Sequence, residues 1–172
     1  PSIVVALGGG QEVAFRGRLD RVDRAPDGSR MLVVDYKSGS AARFPRIDRD
    51  PVQRGQLLQL PVYSLAVKAV YGDVPVGAYY WFITEASDFK RLGYLVSEDQ
   101  LVPFRSALAV IVQGIRGGLF PARPGSPVLN GFENCRFCPY DRVCPRDRSR
   151  RWHRKKEAPE LRGYVELAEP EA

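Results

Sequence analysis

Two aspartates and a lysine lie close together near the start of the chain, in the segment GRLDRVDRAPDGSRMLVVDYKSG at Gly17–Gly39. Asp20 precedes a polar turn, and Asp35 and Lys37 follow it with one residue between them. Neighbouring carboxylates repel each other unless a cation lies between them, and such oxygen ligands favour Mg²⁺ or Mn²⁺. A lysine beside such an ion can orient a water molecule or stabilise charge on a phosphoryl oxygen. The chemistry that these residues predict is phosphodiester hydrolysis.

A β-hairpin would bring the two aspartates together. Partial alternation over Val13–Val22 and an apolar, β-branched run over Met31–Tyr36 predict two strands, with a Pro- and Gly-containing turn at Ala25–Ser29 between them. Asp20 and Asp35 lie at nearly equal distances from the centre of that turn, so they should be close neighbours. The two-residue period of a strand sends both charged side chains of D-x-K to one face. The alternative is an ordinary surface hairpin, since an isolated D-x-K tripeptide is common.

The wider pattern resembles the PD-(D/E)xK nuclease superfamily: a G-x-x-D strand, a hairpin, and then two apolar residues followed by D-x-K. It is most similar to the RecB-like branch, which includes AddB-type nuclease domains and cluster-bearing CRISPR-associated exonucleases. The resemblance implies that Asp20, Asp35 and the backbone carbonyl of Tyr36 bind the metal and that Lys37 is catalytic. It also suggests a role for Glu12, with a strand-edge charge as the equal alternative.

A helix is predicted over Val52–Tyr71, where apolar residues recur at helical spacing and Gly72 follows the end. Pro61 predicts a kink or a break within it. Gln59 and Tyr63 are four residues apart and share a helical face, as a surface Gln and a core Tyr often do. The phrase QLLQLPVYSLA is similar to the Gln-x-x-x-Tyr helix of the same branch. That similarity implies that Gln59 and Tyr63 border the active site and contact DNA.

The remaining patterns predict an α/β domain. The expected elements are strands at Ser2–Leu7, Gly77–Thr84 and Arg91–Ser97 and a helix that opens with a capping box at Ser97 and Gln100. The aromatic run YYWF favours a central strand buried on both faces over a base-stacking platform. Together with the resemblance, these elements predict a restriction-endonuclease-like core with a central mixed sheet flanked by helices.

Three cysteines gather in the pattern Cys135-x-x-Cys138-x5-Cys144 followed by proline. Thiolates suit iron–sulfur clusters or Zn²⁺, both of which usually need four ligands, whereas three free buried thiols are the alternative without a metal. The spacing resembles the C-terminal cysteine trio of the iron–sulfur nucleases in the same branch, which implies a [4Fe–4S] cluster. No cysteine precedes Cys135 in this sequence. The fourth ligand is therefore expected before Pro1 or elsewhere, or His153 completes a Cys3His zinc site.

The net charge of +6 favours a polyanionic partner. The sequence has no run of 18 apolar residues and no signal-peptide pattern, so DNA is expected rather than a membrane, and the location is expected to be cytoplasmic. Residues 145–156 carry seven Lys or Arg, which are either a solvated basic face or a phosphate grip that includes Arg151 and Lys155. Residues 157–172, with Pro159 and Pro170, are expected to form an irregular, peripheral tail.

These signals predict an enzyme, a Mg²⁺- or Mn²⁺-dependent deoxyribonuclease. We expect a nuclease core at residues 1–134, a cysteine-cluster and basic segment at 135–156, and the tail after it. The resemblance implies exonuclease or end-processing work on single-stranded DNA, within a helicase–nuclease of double-strand break repair that has a helicase domain or subunit as partner. The alternatives are a stand-alone CRISPR-associated exonuclease and a catalytically inactive DNA-binding module of the same fold. Intact Asp20, Asp35 and Lys37 argue against the inactive module.

Overall fold

The structure, a computed structural model, describes residues 2–169. It has two compact units that divide between Ala109 and Val110. The first unit carries Asp20, Asp35 and Lys37, and the second carries the cysteines. None of the described helices is long and apolar enough to span a membrane.

The chain opens with an antiparallel hairpin of β1 (Ser2–Gly8) and β2 (Gln11–Arg16). Gly8, Gly9 and Gly10 all have positive φ, between 55° and 88°, which L-residues with a side chain adopt at a cost. The three glycines therefore form the tight reversal between these two strands. The predicted strand at Ser2–Leu7 is confirmed.

A four-stranded mixed sheet follows, in the order β3 (Arg21–Arg24), β4 (Met31–Lys37), β5 (Val76–Phe82) and β6 (Arg91–Leu95). Strands β3 and β6 run antiparallel to their neighbours, whereas β4 and β5 are parallel. Parallel neighbours need a crossover, and helix α1 (Gln59–Tyr71) lies within it. The expected α/β core with a central mixed sheet is confirmed.

Helix α1 packs against β4 and β5. Alternate residues of β5 are buried, including Tyr80 and Phe82 at 1% and 0% exposure, and on the helix Leu60 and Val67 are equally enclosed. On the other side of β5, Tyr79 and Trp81 are only half-buried. The aromatic run is thus a central strand, as predicted, although burial is complete on one face alone.

Three sequence predictions for this unit are wrong. The predicted strand at Val13–Val22 is two strands, because β2 pairs with β1 whereas β3 pairs with β4, and Gly17–Asp20 carries the chain between the two sheets. The helix predicted from Val52 begins at Gln59. Pro61 consequently lies in the first turn, where its missing N–H breaks no helical hydrogen bond, so it neither kinks nor breaks α1.

Helix α2 spans Glu98–Arg116 and starts with the predicted capping box. The backbone N–H of Ser97 donates to Oε1 of Gln100 at 3.0 Å, and the N–H of Asp99 donates to Oγ of Ser97 at 3.3 Å. Two backbone donors that the helix leaves without partners are thereby satisfied.

The second unit contains the short strands β7 (Pro127–Val128) and β8 (Gly131–Phe132) and the helices α3 (Arg148–Lys155) and α4 (Arg162–Ala168). The prediction of an irregular tail after residue 156 is therefore wrong for its described part. Trp152 is buried and donates through Nε1 to Glu169 at 3.0 Å, which ties the end of the tail to α3. Pro159 marks the beginning of a helical turn, and Pro170 lies outside the described residues.

Candidate active site

Asp20 lies just before β3 and Asp35 lies in β4, both at the open end of the hairpin that these two strands form. In the strand register Arg21 is opposite Val34, and continuing that register by one residue places Asp20 opposite Asp35. Oδ2 of Asp20 accepts a hydrogen bond from the backbone N–H of Tyr36 at 3.1 Å. The carboxylate of Asp20 is therefore held against the peptide that directly follows Asp35.

Asp35 is buried, with 3% exposure, so its charge needs compensation within the protein. Oδ1 accepts a hydrogen bond from Nε2 of Gln59 at 3.2 Å. Oδ2 lies 2.5 Å from Nζ of Lys37, but it accepts no hydrogen bond of acceptable angle from any described residue. A carboxylate oxygen has two lone pairs, and the ammonium does not occupy both. Oδ2 therefore has a counter-charge nearby and a lone pair that remains open.

Lys37 has three partners around its ammonium. Besides Asp35, Nζ donates to Oε1 of Gln59 at 2.8 Å and lies 4.8 Å from the centre of the Tyr80 ring. Burial, and after it the charge of Asp35, raises the pKa of Tyr80 well above its usual value, so this residue remains a neutral phenol beneath the ammonium. The ring of Phe44 packs on Tyr80 with 4.8 Å between the centroids. The lysine is thus held by an amide, a carboxylate and an aromatic face.

Gln59 bridges the two charged side chains of the D-x-K motif. Its carbonyl oxygen faces the ammonium and its NH₂ faces the carboxylate, so the charges on both sides fix the orientation of the amide. Nε2 also lies 3.3 Å from the hydroxyl of Tyr63, one helical turn further along α1. The structure therefore brings Gln59 and Tyr63 to the D-x-K motif, whereas their contact with DNA stays a prediction.

Tyr80 is a site residue that the sequence did not identify. Strands β4 and β5 are parallel with Asp35 in register with Tyr80, which places the tyrosine beside the motif. The sequence contains no signal for that register, because periodicity reports which face a residue takes and not which residue it pairs with.

Asp20 and Asp35 have the donor chemistry that Mg²⁺ or Mn²⁺ uses. Such ions are often bound by one or two carboxylates, with waters and substrate phosphate filling the other positions. The open lone pair of buried Asp35 Oδ2 is the observation that fits a cation here. Glu12 does not extend this set: it lies on β2, in the other sheet, and residues 2–169 contain no group of three His, Cys, Asp or Glu side chains that could hold a metal ion.

The three cysteines are free and half-buried. Within the described part of the chain they do not form a metal-holding group, either alone or with His153, whose Nδ1 instead donates to the carbonyl of Ser149 at 2.8 Å. Nη1 of Arg148 lies 3.6 Å from Sγ of Cys135 and also pairs with Asp141. A guanidinium therefore stands beside the first of the thiols. The binding of a cluster or a zinc ion by these cysteines stays a prediction.

The basic residues of α3 are mostly exposed around the buried Trp152. Nε of Arg151 pairs with Oδ1 of Asp147 at 2.8 Å, and this hydrogen bond lowers the pKa of the aspartate. Lys155 is exposed. Their contact with phosphate stays a prediction.

The sequence profile of the PD-(D/E)XK nuclease superfamily matches residues 2–145. Two curated relatives are both named as subunits of an ATP-dependent helicase/deoxyribonuclease. The one from Alkaliphilus oremlandii (strain OhILAs) is 42% identical over 69 residues, and the one from Alkaliphilus metalliredigens (strain QYMF) is 39% identical over 70. Each match covers 39% of this chain and only 6% of the relative. No solved structure matches the chain significantly.

Proposed function

Because this chain belongs to the PD-(D/E)XK nuclease superfamily, we propose that it is a Mg²⁺- or Mn²⁺-dependent deoxyribonuclease in which Asp20, Asp35 and Lys37 form the active site. The observation that carries the proposal is the buried carboxylate of Asp35, which has Lys37 beside it and is followed directly by the peptide N–H that binds the Asp20 carboxylate. A structural ion pair would not require a second carboxylate at the same place.

Asp20, Asp35 and the backbone carbonyl of Tyr36 would hold the ion, which when bound polarises the scissile phosphate and lowers the pKa of a coordinated water. Lys37 presents positive charge to the phosphoryl oxygens, where negative charge increases in the transition state. Gln59 and the ring of Tyr80 hold the ammonium in place before substrate arrives. Little reorganisation is then needed when the reaction occurs.

The biological setting follows from the relatives' names. Since both are helicase/deoxyribonuclease subunits and the match covers 6% of each, the proposed role is the nuclease part of a larger helicase–nuclease. Work on single-stranded DNA ends in break repair is proposed on the sequence resemblance to the RecB-like branch alone. The proposed location is the cytoplasm, and the proposed partner is a helicase domain or a separate helicase chain.

A separate proposal, which rests on sequence spacing alone, concerns the three cysteines. We propose that Cys135, Cys138 and Cys144 bind a [4Fe–4S] cluster together with a fourth ligand from outside this trio, with zinc as the minority case. Their present arrangement does not support it, so no step of the cleavage reaction depends on it.

The test of the nuclease is cleavage of end-labelled single- and double-stranded DNA in Mg²⁺, in Mn²⁺ and in excess chelator. We expect cleavage that depends on the metal and is lost in Asp35→Asn, which keeps the side-chain shape and removes the charge. Asp48→Asn is the matched control, because Asp48 is exposed in the loop after the motif. Cleavage by Asp35→Asn at the wild-type rate would refute the assignment.

A further inference from the structure

One side chain from each strand of the four-stranded sheet belongs to a row that crosses the sheet. The registers place Tyr36 of β4 beside Trp81 of β5, and Trp81 beside Arg91 of β6. On the other side of Tyr36, Nη1 of Arg21 in β3 donates to its hydroxyl at 3.3 Å. We call these four residues the cross-strand row.

The cross-strand row lies behind the D-x-K motif. Asp35 and Lys37 both contact Gln59 at the start of α1, so Tyr36 between them points to the opposite face of β4. The row therefore approaches the candidate active site from the face of the sheet that α1 does not cover.

Two aromatic rings form the middle of the row, and an arginine lies at each end. The centroids of the Tyr36 and Trp81 rings are 5.8 Å apart, and the guanidinium carbon of Arg91 lies 4.5 Å from the centroid of the Trp81 ring. Nε1 of Trp81 is buried without a hydrogen-bond partner in the described part of the chain, so ring packing sets the orientation of this indole. At the other end, Asp23 fixes the guanidinium of Arg21, with Nε at 2.9 Å and Nη2 at 2.8 Å from the two carboxylate oxygens.

Asp20 and Arg21 are consecutive and hold Tyr36 at its two ends. Oδ2 of Asp20 accepts a hydrogen bond from the backbone N–H of Tyr36 at 3.1 Å, whereas Arg21 binds the hydroxyl at the tip of the side chain. The N–H of Ile83 donates to the carbonyl of Lys37 at 3.0 Å, so the backbone groups of Lys37 face β5. Because successive strand residues alternate in this direction, the N–H and the carbonyl of Tyr36 both face the β3 side, where Asp20 lies.

The Tyr36 peptide needs such a hold because β3 does not pair with it. Pairing between the two strands ends at Arg21 and Val34, so a carboxylate and not a strand binds the N–H of Tyr36. That carboxylate, of Asp20, is also a proposed metal ligand. A hold on the side chain of Tyr36 keeps the peptide in place without using any ligand of the metal.

We propose that Arg21 is a positioning residue, which holds Tyr36 against the ring of Trp81 so that the Tyr36 carbonyl and the nearby carboxylates can bind one divalent cation. The inference rests on the proposed metal-dependent nuclease and extends its site to the opposite face of the sheet. The side chain of Tyr36 is 37% exposed, so without these contacts it would be free to change rotamer and the peptide free to tilt. The row would therefore act on the affinity for the metal and not on the chemistry itself.

The choice of substitution matters, because Arg21 is also a positive charge beside Asp20. Removing that charge would by itself favour a cation at the carboxylates and oppose the effect of lost positioning. Arg21→Lys keeps the charge but lacks the planar fork that reaches both Asp23 and Tyr36. Tyr36→Phe removes the other partner of the same hydrogen bond and keeps the ring.

Metal binding is measured on the full chain without DNA, by titration with Mn²⁺ and detection of the free ion by electron paramagnetic resonance. Arg21→Lys and Tyr36→Phe should each raise the Kd for Mn²⁺ by about 2- to 10-fold, the effect of one lost hydrogen bond. The double variant should bind no more weakly than either single variant, because both changes remove the same contact. Tyr36→Ala, which also loses the ring contact with Trp81, should raise the Kd by about 10- to 100-fold.

DNA cleavage supplies a second readout. The rate of each variant should return towards that of the wild type as the Mn²⁺ concentration is raised, because a weakened metal site can be saturated. A defect of folding would instead persist at every metal concentration. If Tyr36→Ala does not fold, Arg21→Lys and Tyr36→Phe still test the proposal, since each changes only a partly exposed group.

Two control variants make the same exchanges away from the motif. Tyr79→Phe alters a tyrosine on the same face of the sheet, in register with Val34 and thus one row further from Asp35. Arg24→Lys alters an exposed arginine at the other end of β3. Neither should change the Kd for Mn²⁺.

The outcomes separate the row from the nuclease. Wild-type Kd values in Arg21→Lys and Tyr36→Phe, in a protein that cleaves DNA, would overturn the positioning role and leave the nuclease function standing. Equal losses in Tyr79→Phe and Tyr36→Phe would also overturn it, because the effect would then belong to the whole sheet. A wild-type protein that neither binds Mn²⁺ nor cleaves DNA would reject the nuclease function and the positioning role together.

Discussion

Nζ of Lys37 donates a hydrogen bond to Oε1 of Gln59 at 2.8 Å, so the first residue of α1 holds the lysine of a motif that ends β4. The same glutamine donates to Asp35, which makes it the link between the acidic and the basic residue of D-x-K. The crossover helix α1 and the strand β4 are thus joined at one amide. The effects of several substitutions follow from this arrangement.

Gln59→Ala should lower cleavage activity by about 10- to 100-fold, the usual effect of losing a residue that orients groups at a metal site. The variant loses the hydrogen bond to buried Asp35, but Gln59 itself is exposed and water can take its place, so the free energy of unfolding should fall by only about 1 kcal/mol. The measurement is paired: kcat and the thermal midpoint on the same preparation. Gln56→Ala, an exposed glutamine before α1, is the control and should alter neither quantity. A large fall in the midpoint of Gln59→Ala would instead indicate a structural role.

Lys37→Ala should abolish cleavage and also destabilise the protein, by about 3 kcal/mol, because it leaves the buried carboxylate of Asp35 without its counter-charge. Mg²⁺ should restore part of this stability, since a cation can replace the ammonium charge. Chemical denaturation with and without Mg²⁺ measures both effects. The double variant Lys37→Ala/Asp35→Asn removes the uncompensated charge and should be more stable than Lys37→Ala. Equal stability of the single and the double variant would contradict this account of Asp35.

Tyr94→Phe should stabilise the protein or leave it unchanged, because the Tyr94 hydroxyl is buried and has no hydrogen-bond partner among the described residues. Burial raises the pKa of Tyr94 above its usual value in the folded state. The unfolded chain therefore loses this proton at lower pH, so the contribution of Tyr94 to stability is complete below about pH 10 and decreases above it. Denaturation from pH 8 to 11 should show a smaller alkaline loss for Tyr94→Phe than for wild type. Identical curves would mean that the hydroxyl is solvated.

Cys138→Ser tests the proposal for the cysteine segment. If a cluster forms, anaerobically purified wild-type protein should contain iron and absorb in the visible region, and the variant should lose both the colour and stability. Arg148→Ala is the control for Cys138→Ser, because it removes the guanidinium next to Cys135 but no thiol, and its metal content should equal that of the wild type. Stoichiometric zinc without iron would show that the cysteines bind zinc and not an iron–sulfur cluster. Absence of both metals would leave three free thiols, as the structure has them.

Much of the candidate active site could be predicted from the sequence, because its geometry is local. In a hairpin, pairing depends only on distance from the turn, and the positions of Asp20 and Asp35 therefore give their register directly. Likewise, the two-residue period of a strand is enough to place the side chains of Asp35 and Lys37 on the same face of β4. The capping box at Ser97 is local in the same sense.

The predictions that failed all required knowledge of partners distant in the chain. Val13–Val22 alternates in part, but alternation does not reveal that its two halves pair with different strands. The apolar positions before Gln59 fit a helical period, yet they lie in turns that precede α1.

The β3–β4 turn has a practical consequence for work on this enzyme. It is closed by the backbone N–H of Ala25, which donates to the carbonyl of Arg30 at 3.0 Å, and by Asp27, which accepts from Ser29. All of these contacts lie at the far end of the hairpin from Asp20 and Asp35. A biotin attached at this turn would therefore anchor single molecules to a glass surface with the Asp20 and Asp35 end of the hairpin directed away from the glass.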